Sequence, residues 1–204
     1  MFFYNTVTTM MSGVVKILFR VEVIGKENIP KEGACILACN HKSNWDPIMI
    51  AGLIKGRKIN GVAKKELFKN PILRFILNKL FVISVDRDNP DISTVKKIIK
   101  VLKNNEVLGI FPEGTRHKDL DSFSDAKAGL GMFAVKGKAR VVPVSIVTNY
   151  KIFGKLVIYI DNPIELDEFY GKKLTSEDYE SISGSIMDII KKNYFNIRLN
   201  EKNK

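Results

Sequence analysis

Ala34-Cys35-Ile36-Leu37-Ala38-Cys39-Asn40-His41-Lys42-Ser43-Asn44-Trp45-Asp46 is an apolar run that stops abruptly in a polar loop. The run is too short for an ordinary helix and reads as a strand, in which Cys35, Cys39 and then His41 share one side. A strand that ends there leaves its loop exposed. Comparable β-branched runs recur along the chain at Arg20–Ile24, Ile59–Ala63, Phe81–Asp86, Val107–Phe111, Val141–Ile146 and Leu156–Ile160, alternating with helical patterns. That alternation predicts an α/β domain with a central mixed sheet of about seven strands flanked by helices.

The helical patterns have their own punctuation. Val95, Ile98, Ile99 and Leu102 give one face, introduced by Asp91 and Ser93 as caps. A last helix is expected from Ser176 to about Ile197, with Thr175 as cap, Glu177 and Asp178 at the positive end of its dipole, and Ile182, Ile186 and Ile189 inward. No linker, repeat or low-complexity segment divides the chain, so residues 20–204 read as one domain preceded by a helix over residues 1–19. In that helix Phe3, Val7, Met10, Met11, Val14 and Leu18 form a stripe suited either to a membrane interface or to the domain's own core. Asn5, Thr6, Thr8, Thr9 and Ser12 interrupt it too often for a span, and Lys16 and Arg20 follow rather than precede it, unlike a signal peptide.

The 204 residues are 45% hydrophobic, enough to bury a sizeable core, and carry a net charge of +11. Such a charge suits nucleic acid, anionic lipid or phosphorylated substrates without choosing among them. Against nucleic acid, there is no aromatic RNA-binding motif, no zinc-finger pattern and no arginine-rich stripe. Cys35 and Cys39 offer no disulfide framework. With His41 they supply three potential metal ligands, but no fourth is evident and the spacing fits no common zinc pattern, so buried thiols and no metal are expected.

Chemistry concentrates at two strand ends. If the chain turns into a helix after Trp45, the Asp46 carboxylate folds back within hydrogen-bond reach of the His41 imidazole. It would then fix the ring's tautomer and stabilise the imidazolium while the other nitrogen takes a proton. The competing account makes Asp46 an ordinary helix cap before Pro47 and His41 a strand-end histidine. The second end, Phe111-Pro112-Glu113-Gly114-Thr115-Arg116, turns sharply and offers backbone N–H groups and a guanidinium to an anion, or is a surface turn with a solvated arginine. His117 reads as a loop residue, and Trp45 as either a lining or a packing residue.

In combination, these blocks resemble the 1-acylglycerol-3-phosphate acyltransferase family of glycerolipid acyltransferases, over about Val21 to Ile160. Asn40-His41 through Asp46 matches the family's catalytic block, Phe111 to Arg116 its most diagnostic one, and Val142-Pro143-Val144 its fourth. Phe81 to Arg87 stands where the second belongs and keeps its Asp86-Arg87 ending, but lacks the glycine that usually precedes it. The resemblance implies transfer of a fatty acyl group from an acyl thioester to the sn-2 hydroxyl of 1-acylglycerol 3-phosphate. His41 would act as general base and Asp46 as its orienting partner, with no covalent enzyme intermediate. In accord with that, no G-x-S-x-G elbow occurs.

It further implies that Arg87 and Arg116 bind the acceptor phosphate in a pocket shaped by Glu113, Gly114 and Thr115. Lys64 and Lys65 belong to a lysine-bearing segment near it, or to a solvated basic face, and Asn40 and Pro143 support the site. No cofactor is required beyond acyl-CoA or acyl carrier protein as co-substrate. The place of action would be the cytoplasmic face of the cell membrane, with peripheral or monotopic attachment to an anionic surface. Phe68 to Phe81 suits such a surface, mixing Leu73, Phe75, Ile76 and Leu77 with Lys69, Arg74 and Lys79, unless it is a buried helix with snorkelling cations. Two alternatives stand beside this one: another acceptor within the family (a lysophospholipid, glycerol 3-phosphate or an aminoacyl lipid), or a non-catalytic basic protein that binds membranes or nucleic acid.

Overall fold

The computed structural model describes residues 1–86 and 91–202. Its strands are β1 (Arg20–Ile24), β2 (Cys35–Cys39), β3 (Ile59–Lys64), β4 (Ile83–Val85), β5 (Val107–Ile110), β6 (Arg140–Thr148) and β7 (Lys155–Ile160). Its helices are α1 (Phe2–Leu18), α2 (Asp46–Leu53), α3 (Pro71–Lys79), α4 (Ile92–Lys103), α5 (Gly129–Gly137) and α6 (Ser176–Lys202). The strands form one sheet in the order β1-β7-β6-β2-β5-β3-β4. Every neighbouring pair is parallel except β6 with β7, giving the expected mixed sheet. Because β6, β2, β5, β3 and β4 run the same way, the loops after them gather on one edge, the usual place for a site in an α/β sheet.

Strand β2 is buried throughout, and its alternate side chains divide the core. Cys35, Leu37 and Cys39 face the layer with Met49, Ile50 and Val15, whereas Ile36 and Ala38 face Ile98, Leu102, Leu130 and Ile186. Helices therefore cover both faces, as a largely parallel sheet requires. Burial pushes the Cys35 thiol up to about 12 and the Cys39 thiol higher still, so both are inert strand residues. No group of three or more His, Cys, Asp or Glu able to hold a metal ion occurs among the described residues.

Asp91 and Thr175 cap α4 and α6 as expected, Thr94 N–H donating to Asp91 Oδ1 at 2.7 Å and Asp178 N–H to Thr175 Oγ1 at 3.2 Å, whereas Ser93 lies inside α4. The inward face of α6 is shifted from the expected one, since Ile190 is buried and Ile189 only half-buried, and the helix continues past Ile197 to Lys202. Strand β4 is shorter than expected because Phe81 takes a left-handed φ of 58° before it.

Helix α1 divides the expected apolar stripe between core and surface, with Val7, Met11 and Leu18 half-buried. Tyr4, Thr8 and Val15 are its buried residues, while Phe3, Met10 and Val14 are exposed. The helix packs on α2 so closely that a Cβ at Gly52 would lie 2.9 Å from Ser12 N. It is thus part of the domain and still presents a second apolar face outward. Helix α3 has no buried residue, so the buried-helix account of this segment fails.

Candidate active site

The loop after β2 is fixed from below by Asn40. Its side chain donates to Ile146 O at 3.0 Å and accepts from Ile146 N–H at 2.7 Å, replacing the next rung of the β2–β6 ladder. His41 follows, with Nδ1 3.0 Å from Asp46 Oδ2. An ionised carboxylate only accepts, so Nδ1 carries the proton and Nε2 is left as the acceptor.

Asp46 opens α2, yet it caps nothing ahead of it: α2 has no side-chain cap hydrogen bond at its N-terminus. The carboxylate turns back, and its Oδ2 also accepts from Lys42 N–H and Ser43 N–H, each at 2.7 Å, while Tyr150 donates its hydroxyl to Oδ1 at 2.6 Å. A fully buried carboxylate is stable only with such donors. The ordinary-cap account of Asp46 therefore gives way to an orienting one.

Phe111 stacks on the His41 ring at 4.1 Å between centroids. Beyond it the chain turns at Gly114, whose φ of 68° favours glycine, and Gly114 N–H donates to Phe111 O at 3.0 Å. Glu113 is swung inward by this turn. It is 1% exposed, accepting from His41 N–H at 2.8 Å and from Ser124 N–H at 3.1 Å. It shapes the site from behind: tied to two backbone donors, it does not line the cleft.

Lys42, also buried, donates from Nζ to Asp119 O at 2.9 Å and to Ser122 O, and sits 3.7 Å over the Phe123 ring. Burial lowers its pKa. It ties the loop beyond Arg116 to the loop of His41, a bond reinforced by His117 N–H donating to His41 O at 2.9 Å.

His41, Thr115, Arg116 and Lys64 line one cleft of about 490 Å³, together with Asn44, Pro47, Phe111 and Lys118. An apolar cavity of about 230 Å³ adjoins it, the two sharing Pro47, Val62, Ala63, Leu67 and Phe111 as lining. Lys65 is not in the cleft lining and pairs with Asp86. Arg87 lies outside the described residues. Pro143 is buried inside β6 at the register of Ala38 and does not line the cleft. Trp45 packs edge-on to Phe19 at 6.3 Å and His117 leans on Ser122 Oγ at 3.1 Å, so neither lines the cleft.

Asn44, Lys118, Tyr150 and the burial of Lys42 escaped the sequence reading. For Lys118, its place two residues after Arg116 was a usable signal, and for Asn44 its place inside the His41–Asp46 block; Tyr150 and the burial of Lys42 had none.

The geometry agrees with what the chain is similar to. A family model described as Acyltransferase matches residues 20–147. The 1-acyl-sn-glycerol-3-phosphate acyltransferase of Bacillus subtilis is 36% identical over 155 residues, covering 73% of this chain and 76% of the relative. That of Streptococcus pneumoniae is 31% identical over 157 residues, 74% of this chain and 57% of the relative. The crystal structure of the 1-acyl-sn-glycerophosphate (LPA) acyltransferase PlsC from Thermotoga maritima superposes with a TM-score of 0.77 at 25% identity, covering 96% of this chain and 79% of that one. With the matched region running from β1 through β6 and so containing both strand-end loops of the cleft, the chain is a member of the acyltransferase family.

Proposed function

We propose that the chain transfers a fatty acyl group from an acyl thioester, acyl-CoA or acyl carrier protein, to the sn-2 hydroxyl of 1-acyl-sn-glycerol 3-phosphate, giving phosphatidic acid. One observation carries this reading: a His–Asp pair opens on the same cleft as Arg116, beside an apolar cavity. His41 Nε2 takes the proton of the acceptor hydroxyl as its oxygen attacks the thioester carbonyl carbon. The tetrahedral intermediate then expels the thiolate, the C–S bond breaks, and the imidazolium returns its proton to sulfur. Ester and free thiol result, and Asp46 stays ionised throughout.

Arg116 is suited to two phosphate oxygens at once, with Lys64 and Lys118 adding positive charge on the same cleft. A phosphate monoester on the acceptor is therefore favoured over a lysophospholipid. The apolar cavity beside Phe111 suits an acyl chain. No cofactor enters the balance.

Attachment to a membrane has its own support. No helix among the described residues is long and apolar enough to cross a bilayer. Phe3 of α1 meets Phe75 of α3 edge-on at 6.2 Å, and with the exposed Phe2, Met10 and Ile72 they form an apolar rim. Lys79 Nζ lies 5.7 Å from the Phe75 ring centroid, and Lys69 and Arg74 add charge to the same segment, which suits peripheral docking on anionic lipid at the cytoplasmic face.

The test is to give the purified protein in detergent a panel of acceptors with each donor and to identify the lipid product. Phosphatidic acid, formed with stoichiometric thiol release, is expected. A different acylated acceptor would move the reading within the family. Salt-sensitive RNA binding that survives His41→Ala, without thiol release, would support the non-catalytic alternative instead.

A further inference from the structure

Tyr150 belongs to no recognised block and does not line the cleft, yet it reaches Asp46 across 104 positions of sequence. The three other hydrogen-bond partners of the carboxylate, His41 Nδ1, Lys42 N–H and Ser43 N–H, all meet Oδ2. Among the described residues Tyr150 alone meets Oδ1. A carboxylate held at one oxygen is free to swing about its Cβ–Cγ bond, whereas one held at both has a fixed plane. In this plane Oδ2 points at the imidazole.

The loop that carries Tyr150 is built to hold it there. Tyr150 has a left-handed φ of 57°, uncommon for a residue with a side chain, and its N–H donates to Thr148 Oγ1 at 3.2 Å. Lys151 N–H donates to Asn149 Oδ1 at 3.0 Å, and the far end is tied to the rest of the molecule by Phe153 N–H donating to Leu18 O at 2.6 Å and Arg20 Nε donating to Phe153 O at 3.1 Å.

We infer that Tyr150 is a positioning residue of the acyl-transfer reaction, its phenol fixing the Asp46 carboxylate so that His41 keeps the tautomer and orientation of a general base. The inference rests on the His–Asp reading above. Burial, and next the Asp46 carboxylate, raise the phenol pKa, so it stays protonated and acts only as a donor. The other titratable groups near it are Glu113 beyond β5 and Tyr194 of α6, while the Asp46 carboxylate also faces Cys39 of β2 and Lys42.

The experiment uses the full chain in detergent. Tyr150→Phe keeps the ring and removes only the donor. Expected is a fall in kcat of about tenfold, the scale of one hydrogen bond to a charged group, with the acceptor KM and melting temperature near those of the parent. Without the phenol the carboxylate has one donor fewer and holds the imidazolium more tightly, so the acidic limb of kcat/KM should move to higher pH. His41→Ala runs in parallel. If it is inactive while Tyr150→Phe has the parent's kcat and pH profile, the role given to Tyr150 is wrong and the dyad reading survives. If His41→Ala stays active, the dyad reading itself falls. A Tyr150→Phe loss that follows the melting temperature, with an unmoved pH profile, would make Tyr150 a packing residue and overturn the inference.

Discussion

Asp46 and Arg116 serve one cleft, but the molecule treats them in opposite ways. Asp46 is sealed from solvent, with donors on both oxygens, and the same rear wall holds Glu113 between two backbone N–H groups and Lys42 between two carbonyls. Arg116, Lys64 and Lys118 are exposed and, among the described residues, make no ion pair. The rear wall has settled its hydrogen bonds before any substrate arrives, which suits proton transfer, where reorganisation in the transition state costs rate. The front has left its donors unspent, which suits an anion that must come and go. Substitutions behind His41 should therefore lower kcat, and substitutions in front should raise KM.

The contrast is tested most severely by His41→Ala, for which turnover is expected to fall ~10²- to 10⁴-fold while the melting temperature holds. Undiminished turnover in thiol-release assays would break the comparison at its root. Glu113→Ala comes next. It leaves the His41 N–H buried and unpaired, at a cost of about 1–3 kcal/mol, and takes the acceptor from the half-buried Ser124 N–H. Loss of both melting temperature and kcat is expected, with acceptor KM little changed; a pure KM effect would instead put Glu113 against the phosphate. Arg116→Ala should do the reverse, raising the acceptor KM about 10- to 100-fold, on the scale of a lost charge-assisted pair. Acceptor saturation curves that do not move would remove its phosphate role.

What the sequence could reveal follows from the same division. β2 and β5 were legible because each is an apolar run cut off by a polar motif, and His41 and Asp46 because a turn over five residues brings them together by local geometry. Arg116 was legible because proline and glycine locate a turn at a strand end. Tyr150 was not, since only the β2–β6 pairing brings it to Asp46 and nothing around it in sequence forms a motif. The inward swing of Glu113 depends on a single left-handed glycine, and composition alone puts acidic residues outside. Lys42 defied the same expectation, its cation being held by carbonyls of a loop that turns back much later in the chain. Helix α5 left no periodic trace because it is apolar almost all round and sits between α4 and α6. In α1 two apolar faces overlapped, so periodicity found a stripe that straddles both, with Val7, Met11 and Leu18 half-buried and Phe3, Met10 and Val14 exposed.

The smallest expected effects fall on Lys64 and Lys118, and they test whether the front acts as a field or as a set of fixed contacts. Both are exposed cleft cations, and an exposed charge interaction is worth only about 0.2–1 kcal/mol. Lys64→Ala and Lys118→Ala should each raise acceptor KM roughly two- to fivefold at low ionic strength. Near 1 M salt, where the screening length shrinks to about 3 Å, the difference from the parent should vanish. The Arg116→Ala defect should persist there, because a bidentate guanidinium–phosphate pair is short-range and directional. If a lysine variant keeps its defect in high salt, that lysine makes a direct phosphate contact, and the front of the cleft is as specifically built as the rear.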